Sequence, residues 1–189
     1  MSQRLGFVLA VFFLALPFVV TAQNLTKCAT PIRDDCTFYT DCLEAKYQCG
    51  SDGYPIGYGF HFCTKFAESK SKLSTAGQAW ISNTMLCLQN ALVPEATGAP
   101  GAAATCADLK TKAFATHADC YVDSGLCSLP ITDWEKVSVE IVGPGTLVES
   151  FDALKATASV GLQCTKFFAE VVASYISPFR MRRVRRGLL

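Results

Sequence analysis

Ten cysteines are the residues with the clearest capacity for chemistry in this chain. They are Cys28, Cys36, Cys42, Cys49, Cys63, Cys87, Cys106, Cys120, Cys127 and Cys164. No two of them have the C-x2-C spacing typical of a zinc site. An even number of cysteines in an exported chain predicts five disulfides with no thiol left over. A cysteine nucleophile is therefore excluded, because a thiolate must be free to attack.

The two histidines give little support for an active site. His61 stands between two phenylalanines, where we expect partial burial, and His117 is expected to form a local hydrogen bond on a helix. A secreted phospholipase A2 would need adjacent cysteines and a His-Asp pair, and the chain has neither. The sequence therefore predicts a protein that is not an enzyme.

Aspartates clustered at two places raise the question of a calcium site. They are Asp34, Asp35, Asp41, Asp119 and Asp123. Calcium needs about six to eight oxygen ligands, usually from a shaped loop, and no EF-hand pattern occurs. We interpret these carboxylates as solvated groups near helix starts, where the helix dipole favours negative charge. No metal or other cofactor is predicted.

Residues 1–22 have the pattern of a cleaved secretory signal peptide. Arg4 is their only charge, an apolar run covers Leu5–Val20, and small residues end the segment. Pro17 interrupts this run, which is also short for a membrane span. We therefore expect the mature chain, from Gln23 onward, to be secreted and extracellular.

Charge is divided unevenly between the body and the end of the chain. Residues 23–179 contain sixteen acidic and eleven basic side chains, and this acidic body argues against nucleic acid as a partner. Residues 178–189 form a basic tail that we expect to be disordered, with Arg180, Arg182, Arg183, Arg185 and Arg186. Three interpretations stay open for it: cleavage by a convertase after Arg183 or Arg186, charge-based binding of sulfated glycans or anionic lipid, or a solubilising role.

The elements that must position the cysteines are predicted to be helices. Apolar residues recur at helical spacing in several segments: 35–49, 60–70, 75–93, 106–120, 132–142 and 147–176. The fifth of these is rich in β-branched residues and also fits a strand. Turn chemistry marks Ser51–Gly59, and prolines and glycines predict a surface loop over Pro94–Ala104. The fold class is therefore all-α, with about five to six helices in a single domain over residues 23–177.

Local signals suggest where these helices begin and end. Capping boxes are predicted at Thr75 with Gln78 and at Thr132 with Glu135, and Gly50 suits the end of the first helix. The third helix should turn Trp80, Ile81, Met85, Leu88 and Leu92 inward. The last helix should bury the stripe Phe151, Leu154, Ala158, Leu162, Phe168, Val172 and Tyr175.

Four local patterns carry a resemblance to a known family. They are Cys42-Leu43-Glu44 within the closely spaced N-terminal cysteines, Cys63-Thr64-Lys65-Phe66 leading through Lys72–Trp80 to Leu86-Cys87-Leu88, Cys120-Tyr121 before Cys127, and Cys164 in a long helix. With the order of all ten cysteines, these patterns resemble the stanniocalcin family of secreted glycoprotein hormones. The likeness covers nearly the whole mature body.

The resemblance implies a disulfide pairing that sequence alone leaves open. The implied pairs are Cys28–Cys42, Cys36–Cys63, Cys49–Cys106, Cys87–Cys120 and Cys127–Cys164. Family members usually form a covalent dimer through an eleventh cysteine, and nothing after Cys164 can supply it. A non-covalent homodimer stays open. The family's usual glycan site is missing too, and the only sequon is Asn24-Leu25-Thr26, where we expect glycosylation.

The resemblance also implies a function. It suggests a secreted hormone that binds an extracellular receptor or secreted partner and influences calcium and phosphate homeostasis. Family members also restrain a secreted metalloproteinase, so a non-covalent inhibitor of such an enzyme is one alternative. A secreted effector that kept only the scaffold is another.

Overall fold

The computed structural model describes residues 26–143, 145–146, 152 and 155–166 of the chain. The predicted signal peptide, the sequon at Asn24 and the arginines of the tail lie outside the described residues, so those expectations stay predictions. Among the described residues there is no strand, and the predicted all-α class is confirmed. None of the described helices is long and apolar enough to cross a bilayer.

Besides a helical turn at residues 26–29, the described residues form seven helices. In chain order they are α1, Tyr39–Glu44 in π form continuing through Ala45–Tyr47; α2, Tyr54–Phe60 in π form continuing through His61–Ser69; α3, Thr75–Ala91; α4, Val93–Thr97; α5, Cys106–Asp123; α6, Ile131–Glu135 continuing in π form through Lys136–Val142; and α7, residues 155–166. Short 3-10 turns at Lys70–Lys72 and Leu126–Ser128 join neighbouring helices.

Helix α3 lies at the centre of the body and packs against α5. Its predicted inward residues, Trp80, Ile81, Met85, Leu88 and Leu92, are all buried. This prediction succeeds because apolar residues at helical spacing form one face, and burying that face removes apolar surface from water. Helix α5 contributes Leu109, Ala113 and Phe114 to the same core.

Five intrachain disulfides hold this body together. They join Cys28 to Cys42, Cys36 to Cys63, Cys49 to Cys106, Cys87 to Cys120 and Cys127 to Cys164. This is the pairing that the family resemblance implies. All ten cysteines of the sequence lie among the described residues, and each is in a disulfide. The last bridge connects α7 to the turn at Leu126–Ser128.

The segment predicted as a turn at Ser51–Gly59 is helical over most of its length. Its π-helical part starts at Tyr54, with Pro55 in the first turn, where the missing amide proton costs no intrahelical hydrogen bond. Gly59 is buried against the ring of Tyr39, and a Cβ there would lie 2.4 Å from a Tyr39 ring carbon. Close packing therefore accounts for this glycine, rather than a turn.

The predicted loop at Pro94–Ala104 also begins as a helix, α4, whose first turn contains Pro94. Glu95 and Ala96 are buried, so this part of the segment belongs to the body. The chain leaves the helix at Gly98, which has a left-handed φ of 74°. Glycine adopts that conformation at little cost, which explains why the helix ends there.

Both predicted capping boxes are wrong in detail. The N-cap of α3 is Ser74, one residue before the predicted Thr75, and its hydroxyl accepts from the amide of Gly77 at 3.2 Å. Gln78 donates to the carbonyl of Leu73 instead of reaching the cap amide. Helix α6 begins after Pro130, with no side-chain cap, although its helical rather than strand character is confirmed.

Two other helix predictions need correction. Helix α1 ends at Tyr47, and its C-cap is the left-handed Gln48 rather than Gly50. In α7 the predicted stripe is rotated, because Val160 and Cys164 are buried while Leu162 is 67% exposed. Ala158, also predicted inside, is exposed. The disulfide from Cys164 fixes this rotation by turning its own face of the helix toward the body. Phe151, Leu154, Phe168, Val172 and Tyr175 lie outside the described residues.

Candidate functional site

An apolar cavity of about 280 Å³ lies between α5, α6 and α7. Helix α3 contributes Trp80 to its lining and α2 contributes Tyr58. Its buried lining residues also include Phe114, His117, Leu126, Val137, Val142 and Val160. Half-buried residues at its edge include Tyr121, Trp134, Ser138, Thr146 and Thr157. The lining is almost wholly apolar or aromatic.

Helix α5 brings three rings to one side of this cavity. Phe114, His117 and Tyr121 are three and four residues apart, which places them on one helical face. Trp80 of α3 is held beside them, because its indole Nε1 donates to the carbonyl of Tyr121 at 3.0 Å. The helical spacing on α5 is visible in the sequence, whereas the partner ring from α3 is not.

Helices α6 and α7 form the opposite side. Trp134, Val137 and Ser138 of α6 line the cavity, as do Ala156 and Val160 of α7. The Ser138 hydroxyl donates to the carbonyl of Trp134 at 2.6 Å, so its proton is already used within the helix. The bridge between Cys127 and Cys164 links α7 to the turn at Leu126–Ser128, beside the cavity.

His117 is a buried, neutral imidazole in this wall. Its Nδ1 lies 2.8 Å from the carbonyl oxygen of Ala113, and the ring stacks on Phe114 at a centroid distance of 5.0 Å. Because a carbonyl can only accept, Nδ1 carries the proton. Burial lowers the pKa of His117 to about 4. The predicted local hydrogen bond is confirmed, and the ring is uncharged at physiological pH.

His61 differs from its prediction. It is exposed rather than partly buried, and its ring lies edge-to-face with that of the neighbouring Phe62, with a centroid distance of 4.9 Å. The two histidines are thus in different settings: His61 faces solvent at the start of the α-helical part of α2, and His117 lies in the core. Only His117 lines the cavity.

Two tyrosines around His117, Tyr54 and Tyr121, are also held neutral. Burial raises the pKa of Tyr54 and of Tyr121 well above the ordinary value. Tyr58 completes the cluster, with its ring centroid 4.7 Å from Phe114 and 5.8 Å from His117. Among the described lining residues of the cavity no side chain is charged. These described residues can therefore hold apolar or weakly polar groups, but none of them can balance a charge.

The aspartates considered for calcium make separate contacts. Asp34 accepts from the Ser82 hydroxyl at 2.6 Å and from the Lys70 ammonium at 3.0 Å, and Asp41 pairs with Lys27 at 2.6 Å. Burial acts to raise the pKa of Asp34, but the hydrogen bonds and positive charge hold it below the ordinary value. No group of potential metal ligands converges among the described residues.

Two buried carboxylates were missed in the sequence. Asp133 is 1% exposed and accepts from Ser74, and Glu95 is 7% exposed and accepts from the amide of Ala103 and the ammonium of Lys112. Asp133 lies between Thr132 and Glu135, which were predicted to form a capping box. Glu95 lies in the segment that was predicted to be a surface loop. The proline directly before Glu95 is typical of a helix start and was the one signal that could have located it.

The comparison with known families decides the identity of the chain. The family model for the Stanniocalcin family matches residues 19–173. The chain belongs to the stanniocalcin family. No curated protein and no solved structure gives a significant match to it.

Membership of the stanniocalcin family gives the fold a biological setting. The family is one of secreted, hormone-like signalling proteins and is not known for enzymes. Five disulfides fit an extracellular protein, since disulfides persist in oxidising compartments. The cysteine-rich helical body lies within the residues that match the family, and the same body forms the cavity.

Proposed function

We propose that the protein is a secreted, hormone-like signal that acts by binding an extracellular receptor or secreted partner and so adjusts calcium and phosphate transport. Family membership over residues 19–173 carries this proposal. The disulfide-linked body supports it, because a rigid body loses little conformational entropy when it binds a partner. Regulation of an ion in this way needs no ion site on the protein itself.

The exposed apolar side chains suggest which surface meets the partner. Ile131 is 81% exposed and Val139 is 56% exposed, and both lie on α6. Large apolar groups that face water on a folded body gain free energy when a partner covers them. Ile32, at 60% exposure on the N-terminal segment, is a matched control of the same chemistry.

The proposal is tested by adding the purified secreted protein to epithelial cells and measuring radioactive calcium and phosphate uptake at nanomolar doses. We expect a saturable change in uptake that a double variant, Ile131→Asp with Val139→Asp, abolishes and that Ile32→Asp preserves. Circular dichroism of each variant checks folding. Unchanged uptake over the full dose range with correctly folded wild-type protein would overturn the ion-transport role.

A metalloproteinase inhibitor is the second candidate, and the paired cysteines restrict its form. Since all ten cysteines are in disulfides, a complex with an enzyme would be non-covalent. The same preparation, mixed with a secreted metalloproteinase, should then slow peptide cleavage reversibly. Denaturing electrophoresis without reductant should show two separate bands. Inhibition together with unchanged ion uptake would favour this role over the hormone.

A further inference from the structure

We infer that the cavity between α5, α6 and α7 is a binding site for a small, uncharged molecule with two fused aromatic rings. This inference is independent of the proposed ion-transport role, since it concerns the residues that line the cavity rather than the exposed side chains of Ile131 and Val139. It rests on the size of the cavity, the chemistry of its lining and the arrangement of its rings.

The size of the cavity sets the size of the ligand. The cavity has room for about 280 Å³ and is partly open to solvent, so a small molecule can enter it as well as fit within it. An apolar cavity of about 150 Å³ stays dry and accepts benzene. A cavity nearly twice that size accommodates roughly twice as many atoms, which corresponds to two fused rings and about ten to twelve non-hydrogen atoms.

The lining sets the charge of the ligand. No described lining residue carries a charge, and His117 is held neutral by burial. An ion would lose its hydration on entry and find no counter-charge among the described lining residues, which costs far more than the transfer of an apolar group gains. The ligand is therefore uncharged, with at most a hydroxyl or similar group near the edge, where Ser138 and Thr157 lie.

The rings favour an aromatic ligand over a flexible chain. Tyr58, Phe114 and His117 are mutually stacked or edge-to-face, with centroid distances between 4.7 and 5.8 Å. Trp80 is fixed by its hydrogen bond to Tyr121. Rigid aromatic walls prefer offset-stacked and edge-to-face contacts with a planar partner. A planar ligand also loses less conformational entropy on binding than an alkyl chain does.

The test is isothermal titration calorimetry of the intact secreted protein with 2-naphthol, a neutral two-ring probe. The charged analogue 2-naphthoate has the same rings and serves as the ligand control. We expect one-to-one binding of 2-naphthol and binding of 2-naphthoate that is at least tenfold weaker. Absence of 2-naphthol binding up to millimolar concentration would overturn the inference, and so would equal affinity for the two probes.

Protein variants then place the probe in the cavity. Ala156→Phe adds a ring at a lining position of α7, and Ala158→Phe adds the same ring two residues away at an exposed position. We expect at least a tenfold loss of 2-naphthol affinity in the first and no change in the second. Val160→Phe is the substitute if Ala156→Phe fails to fold. Equal affinity in the cavity-filling variant and the control would show that the probe binds elsewhere, which contradicts the inference.

Discussion

The carboxylate of Asp133 accepts hydrogen bonds from both the backbone amide and the hydroxyl of Ser74, a residue 59 positions earlier in the chain. Ser74 is the N-cap of α3, so this carboxylate orients the residue that caps the central helix. The pair joins the start of α3 to the first turn of α6. Because Asp133 is 1% exposed, water cannot readily replace it.

Replacing Asp133 should therefore destabilise the whole body. Asp133→Ala removes the buried carboxylate that accepts from the amide and the hydroxyl of Ser74, and a hydrogen bond to a charged group contributes about 1.5–3 kcal/mol. We expect a loss of about 2–4 kcal/mol in the free energy of unfolding, measured by denaturant titration. Asp133→Asn keeps one acceptor oxygen and should lose less. Asp123→Ala, at an exposed position of α5, should change stability by less than about 0.5 kcal/mol.

Gly77 should respond to alanine in the opposite way from an ordinary helical glycine. A Cβ there would lie 2.5 Å from Oδ2 of Asp133 and 2.8 Å from the Cβ of Leu73. Gly77→Ala should therefore lower stability by about 1–3 kcal/mol, through strain and through displacement of the Asp133 carboxylate. Gly161 in α7 has nothing within 4 Å of the same position, so Gly161→Ala should raise stability by about 0.5–1 kcal/mol.

Thermal melts of the two variants separate these effects. If both glycine variants shift the melting temperature upward, the close contact between Gly77 and Asp133 does not restrict side-chain size at this position. A lower melting temperature for Gly77→Ala and a higher one for Gly161→Ala would show that Asp133 does restrict side-chain size at Gly77.

His117 should make the free energy of unfolding depend on pH at values above the pH range in which the carboxylates titrate. Its pKa in the folded protein is about 4, below the ordinary 6.5, so the unfolded chain takes up a proton first as pH falls. Stability is therefore complete above about pH 6.5 and declines as pH falls toward 4. The difference between these pKa values corresponds to at most about 3 kcal/mol.

A comparison of wild type with His117→Phe isolates this effect. The phenyl ring keeps the aromatic contacts but does not titrate. Between pH 6.5 and 4.5 the wild type should lose stability in urea titrations, while the variant should stay nearly flat over the same range. The lowered pKa values of Asp34 and Asp41 shift the acid loss from those carboxylates below this window. A parallel decline in both proteins would mean that His117 is not the group responsible.

The bridge between Cys127 and Cys164 should determine whether α7 stays docked. Replacing both cysteines with serine opens a link with a sequence separation of 37 residues. The chain-entropy relation gives a loss of about 4 kcal/mol for such a loop. Hydrogen exchange should then show residues 155–166 opening before the rest of the body.

The bridge between Cys28 and Cys42 provides the comparison, with a sequence separation of 14 residues. Its double serine variant should lose about 3 kcal/mol by the same relation, yet keep residues 155–166 protected. Equal protection of these residues in both variants would show that α7 is held by packing rather than by its disulfide.

Much of the fold could be read from the sequence because the relevant signals are local. Periodic apolar residues identify the inward face of α3. This signal does not depend on which helix packs against that face. The number of cysteines predicts five disulfides, and their order with the residues around them indicates the family. The rings of Phe114, His117 and Tyr121 share a face for the same local reason.

Where the sequence misled, the deciding contact comes from a distant part of the chain. The turn-like segment at Ser51–Gly59 becomes helical against Tyr39, and the rotation of α7 follows from the bridge between Cys164 and Cys127. The Asp133 carboxylate finds Ser74 only after α3 and α6 have packed. No local sequence pattern predicts such a contact, because it forms between two segments that are far apart in the sequence.

The sequence by itself determined the helical class, the central face of α3 and the expectation of five disulfides with no free thiol, while its resemblance to the stanniocalcin family implied which cysteines pair. Tertiary structure alone decided the cap of α3, the rotation of α7 and the cavity. Periodicity and residue type act over one or two helical turns, so a sequence displays them directly. A cavity is the space left among five helices, and it exists only once their packing and their disulfides have fixed every wall.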